Sequence, residues 1–289
     1  IKLIYFLLSY QDYFNLYFLQ NEIIDFIVQK NHFKILKSVI QQNYSIEQIR
    51  NVAIYLSILD QNILILKYLQ FKENNFTMEL TDKDGIHKTN QLTVAAFKGN
   101  IDIIKYLLSN NADYKFDDYA PLRFACSQGN FDAVVALVEI GSDINALNGW
   151  PLGLASEKGF ENIVKYLIKK GANISADDNY SIRMACIEGH LQIVKILFEN
   201  GANIFFNNEE PFRLACEEGK LNVIKYLVEN GCNPNYNNSI ALKIAVECKN
   251  YDMIKFLYQF NKKYELDEHT KIMINIIDFP NYNNTYEKK

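Results

Sequence analysis

The stretch Ser181-Ile182-Arg183-Met184-Ala185-Cys186-Ile187-Glu188-Gly189-His190, continuing through Leu191-Gln192-Ile193-Val194-Lys195-Ile196-Leu197-Phe198-Glu199-Asn200 to Gly201-Ala202-Asn203, decides the fold, because the chain repeats it. Its pentapeptide Ala-Cys-x-x-Gly returns at Ala125-Cys126 and Ala215-Cys216. Gly99, Gly129, Gly159, Gly189 and Gly219 stand 30 residues apart, and Lys249 takes the next slot. Backwards, Asn31 and Gln61 keep the same phase with each other. The step from Gln61 to Gly99 is 38 residues, so an insertion lies between them. The polar segment around Asp82-Lys83-Asp84-Gly85 is the natural place for a loop there.

Other columns share the register. Ala95, Ala125, Ala155, Ala185, Ala215 and Ala245 sit four residues before the glycine slot. A small residue fits where two helices approach closely. Gly141, Gly171, Gly201 and Gly231 sit twelve after it, with Asn43, Asn111 and Asn261 in the weaker copies. Glycine and asparagine both tolerate the left-handed conformation that ends a helix. Leu191, Ile193, Val194, Ile196 and Leu197 have the spacing of an amphipathic helix. Pro121, Pro151 and Pro211 suit the first turn of a shorter helix upstream. Each unit therefore reads as a short helix, a turn at glycine, a second helix, a second stop and a loop back. One such pair cannot bury its apolar face alone, but stacked copies can.

These residues resemble ankyrin repeats, whose pattern is roughly T-P-L-H-x-A-A-x-x-G-H-x-x-[IV]-[VI]-K-x-L-L-x-x-G-A-[DN]. The match is clear over residues 91–260 and weak over 27–70. The resemblance implies an all-α, ankyrin-type helix-turn-helix repeat solenoid, an α-α superhelix of about seven or eight units. The expected organisation is capping helices or a degenerate repeat over 1–26, two degenerate repeats over 27–70, an inserted loop over 71–90, the array over 91–260, and a cap with a polar tail over 261–289. The family unit is about 33 residues, longer than the 30 found here, and the shortening falls in the loop that forms the β-hairpin finger. The family's threonine and histidine are also replaced. Ala120, Trp150, Tyr180, Glu210 and Ile240 hold the threonine column, and Arg123, Arg183, Arg213 and Lys243 the histidine column. Shorter, differently braced fingers follow, with Asp118 and Asp178 as the expected partners of Arg123 and Arg183, and with negligible strand content.

The net charge of -4 and pI of about 5.7 weigh against a nucleic-acid partner. The opening apolar run from Ile1 is too short to span a bilayer and reads as a capping helix, with a signal-peptide remnant as the weaker alternative. The first residue is not Met, which suits a fragment or processed product. Five cysteines with no CxxC pair suit a reducing compartment, cytoplasmic or nuclear. Cys126, Cys186 and Cys216 read as small core residues rather than metal ligands. His32, His87, His190 and His269 have no recurring nucleophile or carboxylate beside them. His190 shares a turn or capping position with Asn100, Asn130 and Asn250. The lysine column Lys37, Lys67, Lys105, Lys165, Lys195, Lys225 and Lys255 reads as a solvated outer face. No catalytic residue, cofactor or metal is expected.

The resemblance places partner binding on the finger loops and the exposed part of the first helix. There the chain offers the aromatics Phe116, Trp150, Tyr180, Phe205, Phe206 and Tyr236, with Tyr119 nearby, and the acids Glu157, Glu188, Glu217, Glu218 and Glu247. Aromatic anchors within a charged surround mark interface hot regions. The expected function is a non-catalytic scaffold or adaptor, a monomer that holds a protein segment carrying basic and apolar side chains. The alternative is the recognition module of a larger enzyme or signalling protein whose catalytic part lies outside this chain.

Overall fold

The computed structural model describes residues 85–260 continuously, together with 63–68, 77–82 and the single positions Ile54, Ser57, Ile58 and Gln61. The expected caps over 1–26 and 261–289 lie outside the described residues, as do Asn31, His32, Lys37, Asn43, Asn261 and His269. The chain divides into two compact units, residues 1–147 and 148–289.

In the first unit, a helix over Ile63–Tyr68 precedes strands β1 (Thr77–Asp82) and β2 (Gly85–Asn90). The strands pair antiparallel, with Asp82 opposite Gly85 at the tip. The insertion expected as a polar loop thus carries a hairpin, and the expectation of negligible strand content is corrected to this extent. In the sequence Thr77, Glu79 and Thr81 alternate with Met78 and Leu80, which is the two-residue period of a strand. Asn90 ends the hairpin and caps the next helix, its Oδ1 accepting from the Thr93 amide at 2.8 Å. Helices follow over Gln91–Lys98, Ile101–Ser109, Phe116–Gln128 and Phe131–Glu139.

The second unit continues the pairs: Ala146–Glu157 with Glu161–Lys169, Ala176–Glu188 with Leu191–Glu199, Phe206–Glu217 with Leu221–Glu229, and Tyr236–Glu247 with Tyr251–Tyr258. The first of these helices begins at the junction of the units.

Both glycine columns end helices, as their spacing predicts. The amides of Asn130, Phe160, His190, Lys220 and Asn250 donate back to the carbonyls of Ala125, Ala155, Ala185, Ala215 and Ala245 at 2.8–3.0 Å. At the far end, Ala112, Ser142, Ala172, Ala202 and Cys232 donate to Leu107, Leu137, Leu167, Leu197 and Leu227 at 2.9–3.0 Å. This closure needs a left-handed residue just after the helix. Gly159 has φ +84° and Gly201 φ +98°, and even Lys249 and Asn111 are bent to +54° and +60° at the equivalent places.

Within each unit the core is the alanine column plus three apolar columns. Ala95, Ala125, Ala155, Ala185, Ala215 and Ala245 are fully buried, as are second-helix pairs such as Val194 and Leu197. Each fully buried Val or Leu side chain contributes about 1.5–3 kcal/mol, so successive repeats within a unit hold one another.

The finger departs from the family form. No strand occurs among residues 91–260. The loop instead makes one left-handed turn: Asp117, Asp118 and Tyr119 have φ of +46°, +48° and +59°, and Asp177-Asp178-Asn179 and Asn207-Asn208-Glu209 repeat it. For ordinary L-residues this conformation costs roughly 1–2 kcal/mol each, less for Asn and Asp, which explains the doublets Asp117-Asp118, Asp177-Asp178 and Asn207-Asn208; in the intervening copy the turn is Leu147-Asn148-Gly149, with φ of +47°, +55° and +87°. An Asx turn precedes it: the side-chain oxygens of Asp113, Asp143, Asn173, Asn203 and Asn233 accept from the amides two residues on at 2.8–3.1 Å. The right-handed helix starts only after the left-handed turn, which leaves Pro121 and Pro211 in its first turn, where no amide is missed.

Candidate protein-interaction surface

Arg123 braces its own left-handed turn. The Arg123 guanidinium donates to the Asp118 carbonyl at 3.2 Å, and to both the carbonyl and the carboxylate of Asp117, the latter at 2.9 Å. Arg183 instead pairs with Glu210 of the next repeat at 3.5 Å, so the expected carboxylate, Asp178, is not its partner. The third left-handed residue also reaches forward: Glu209 accepts from the Asn233 amide at 3.0 Å, and Asn179 from the Asn203 amide at 3.4 Å. Burial pushes the Glu209 carboxyl above its usual range, partly offset by that amide.

The residue after the glycine joins repeats. Asn130 donates to the carbonyls of Ala96 and Phe97 at 2.7 and 3.0 Å, and His190 donates from Nε2 to the Glu157 carbonyl at 2.9 Å. Asn100 and Asn250 cap their own helices. The turn or capping role expected here therefore takes two forms.

The described lysines of the column lie on the second helices, and three rest over the next repeat's rings: Lys67 over Tyr106 at 5.9 Å, Lys195 over Tyr226 at 5.5 Å, and Lys225 over Phe256 at 5.8 Å, while Lys165 pairs with Glu161 at 3.6 Å. These cation–π contacts link repeats at exposed sites. Cys126, Cys186, Cys216 and Cys232 are buried, and burial raises all four thiol pKa values. Among the described residues no group of His, Cys, Asp and Glu could hold a metal ion.

The six aromatic candidates separate by exposure. Trp150 and Phe205 are open to solvent, 40% and 49% exposed. Phe116, Tyr180, Phe206 and Tyr236 are half-buried. Tyr180 is held between repeats: its ring occupies the space a Cβ on Gly153 would take, and its hydroxyl donates to Glu157 at 3.4 Å. Glu157 is also taken by Lys158 at 2.6 Å. The other four acids, Glu188, Glu217, Glu218 and Glu247, are exposed at the ends of neighbouring first helices. Those helices lie side by side, Ala176–Glu188 against Phe206–Glu217 and the latter against Tyr236–Glu247.

The same face holds an apolar column beside the acids: Leu154, Met184, Leu214 and Ile244, all partly exposed. In the first unit Phe97 and Phe124 are exposed, edge to face at 6.1 Å. Sequence reasoning passed over these positions, because their residue types suit a core equally well; their signal was a 30-residue period one position after the arginine column.

Helix pairs that repeat every 30 residues, with an exposed apolar and acidic face, define a helical repeat protein. The family model for ankyrin repeats (3 copies) matches in overlapping segments over residues 54–148, 92–178, 124–208 and 182–268. The chain belongs to the ankyrin repeat family. Its members are generally protein–protein interaction modules and typically non-catalytic. No curated protein matches the chain. No helix among the described residues is long and apolar enough to cross a membrane.

Proposed function

We propose that the chain is a non-catalytic scaffold or adaptor that holds a partner protein on the exposed face of its first helices and on the adjoining finger aromatics. The observation that carries this reading is the placement of Glu188, Glu217, Glu218 and Glu247 at helix C-termini that bear no basic residue in their last turn. A helix end carries about half a negative charge there, so a carboxylate costs roughly 0.3–1 kcal/mol where a lysine would gain it. Repeating that cost in neighbouring repeats makes sense where a partner's cations neutralise it. The partner is then a segment with Lys or Arg and one or two apolar side chains, the latter meeting Trp150 or Phe205. A single chain suffices for this, and the free thiols suit a reducing compartment, the cytoplasm or nucleus.

The test is affinity capture from the source cell with the chain as bait, followed by binding kinetics. Glu217→Lys with Glu218→Lys should slow association, more so at low salt, because complementary charge acts on encounter. Wild-type kinetics in that variant, with binding lost on replacing Lys195 and Lys225, would put the partner on the opposite face.

A further inference from the structure

Three columns of different chemistry run across the first helices of the second unit. Nearest the left-handed turn lie Arg183, Arg213 and Lys243; next to them Met184, Leu214 and Ile244; and towards the glycine Glu188, Glu217, Glu218 and Glu247. Within one helix, Arg213 precedes the Glu217–Glu218 pair by four to five residues, about 7 Å along the axis at 1.5 Å per residue.

Arg213 differs from its equivalents. Arg123 has the Asp117 carboxylate and Arg183 has Glu210. In the Arg213 repeat the doublet is Asn207-Asn208 rather than Asp-Asp, and the position equivalent to Glu210 is Ile240. Its Nε, like that of Arg183, is buried without a hydrogen-bond partner, but unlike Arg183 it has no ion pair from its guanidinium to another described residue. A charged donor left unpaired in a part-buried place is costly, and a guanidinium suits a carboxylate above other groups.

We propose, resting on the binding face assigned above, that this surface takes an amphipathic helix of the partner protein, with a carboxylate on Arg213, an apolar seam on Met184, Leu214 and Ile244, and basic residues towards Glu217, Glu218 and Glu247. A helix fits for two reasons. Its surface presents several adjacent rows of side chains, so one segment meets all three columns, whereas a strand turns only alternate residues to the protein in a single line. Packed helices lie about 8–10 Å apart, while seven residues of helix advance about 10.5 Å, so one heptad spans one repeat. The partner segment is therefore apolar once per heptad, with acid on one flank and base on the other.

The probes are designed helical peptides of about 21 residues, three heptads long, with the same leucine seam and flanks of Lys/Glu, Lys/Lys or Glu/Glu. Titration of the whole chain with each should give tightest binding for Lys/Glu. Arg213→Ala should weaken that peptide by about tenfold and should not weaken Lys/Lys, whose facing lysines it no longer repels. Ile240→Glu, which offers Arg213 the internal carboxylate that Arg183 already has, should do the same without removing the cation. Prolines placed in the middle of the Lys/Glu peptide should abolish binding. Equal binding of the proline peptide overturns the helix, and a Lys/Lys peptide that binds as tightly as Lys/Glu overturns the Arg213 contact. Either result leaves the acidic interaction face standing. No saturable binding by any peptide, or tightest binding by Glu/Glu, overturns that face as well.

Discussion

The imidazole of His190 lies over Gly159, where a Cβ would come within 2.8 Å of its Cε1, and its Nε2 donates to the Glu157 carbonyl at 2.9 Å. The glycine thus serves two ends at once: it takes φ +84° to close its helix, and it leaves room for the next repeat's clamp. Asn130 over Gly99 repeats the arrangement in the first unit. Gly159→Ala should therefore lose about 1–3 kcal/mol, from the left-handed backbone and the displaced ring together. Adding His190→Ala should recover part of that loss, since the collision goes while the backbone cost stays. Urea unfolding of the single and double variants measures both; strict additivity would show that the ring and the glycine are independent.

The left-handed turn gives a second expectation. Asn208 has φ +60° at the middle of its turn. Asn208→Val should destabilise by roughly 1–2 kcal/mol, because a β-branched side chain is least tolerant of this conformation, while Asn208→Gly should cost little. Equal melting temperatures for the two variants would rule out the turn.

Thiol chemistry separates the cysteines. Cys248 is exposed and the other four are buried. A thiol reagent at neutral pH should label one cysteine in the native protein and five after unfolding. Burial raises the thiols of Cys126, Cys186 and Cys216, and pushes Cys232 up to about 12. In the unfolded chain these groups ionise near 9, so above that pH the unfolded state loses protons that the native state keeps. Their contribution to stability is full below pH 9 and falls as the pH rises towards 12. Thermal melts at increasing alkaline pH should show the loss, reduced in a Cys126→Ser, Cys186→Ser and Cys216→Ser background if that variant folds.

Exposure ranks the aromatic anchors. Trp150→Ala and Phe205→Ala should hasten dissociation of a captured partner, by about 2 kcal/mol where either is a hot spot, with little effect on melting. Tyr180→Ala should instead lower stability first, since its ring fills the space over Gly153 and its hydroxyl reaches Glu157. Surface plasmon resonance paired with melting curves separates the two behaviours; faster dissociation only in the Tyr180 variant would reverse the ranking.

The sequence by itself determined the repeat and its stops. Gly189, Gly201, Ala185 and the apolar run from Leu191 to Leu197 specify helix ends, a close approach and a buried stripe, because each depends on local backbone freedom or side-chain size. It also carried the Asp177-Asp178 doublet, although what that doublet does is visible only in the φ values of the turn. Partnership between repeats was decided by the tertiary structure. Arg123 and Arg183 occupy one column, yet one turns back to Asp117 and the other forward to Glu210. Tyr180 and Trp150 likewise share a column, yet one is held against Gly153 and the other remains open to solvent. Local propensity sets which residues a helix presents, but exposure and pairing depend on what the neighbouring repeat places 30 residues away, and that becomes defined only when the repeats are stacked.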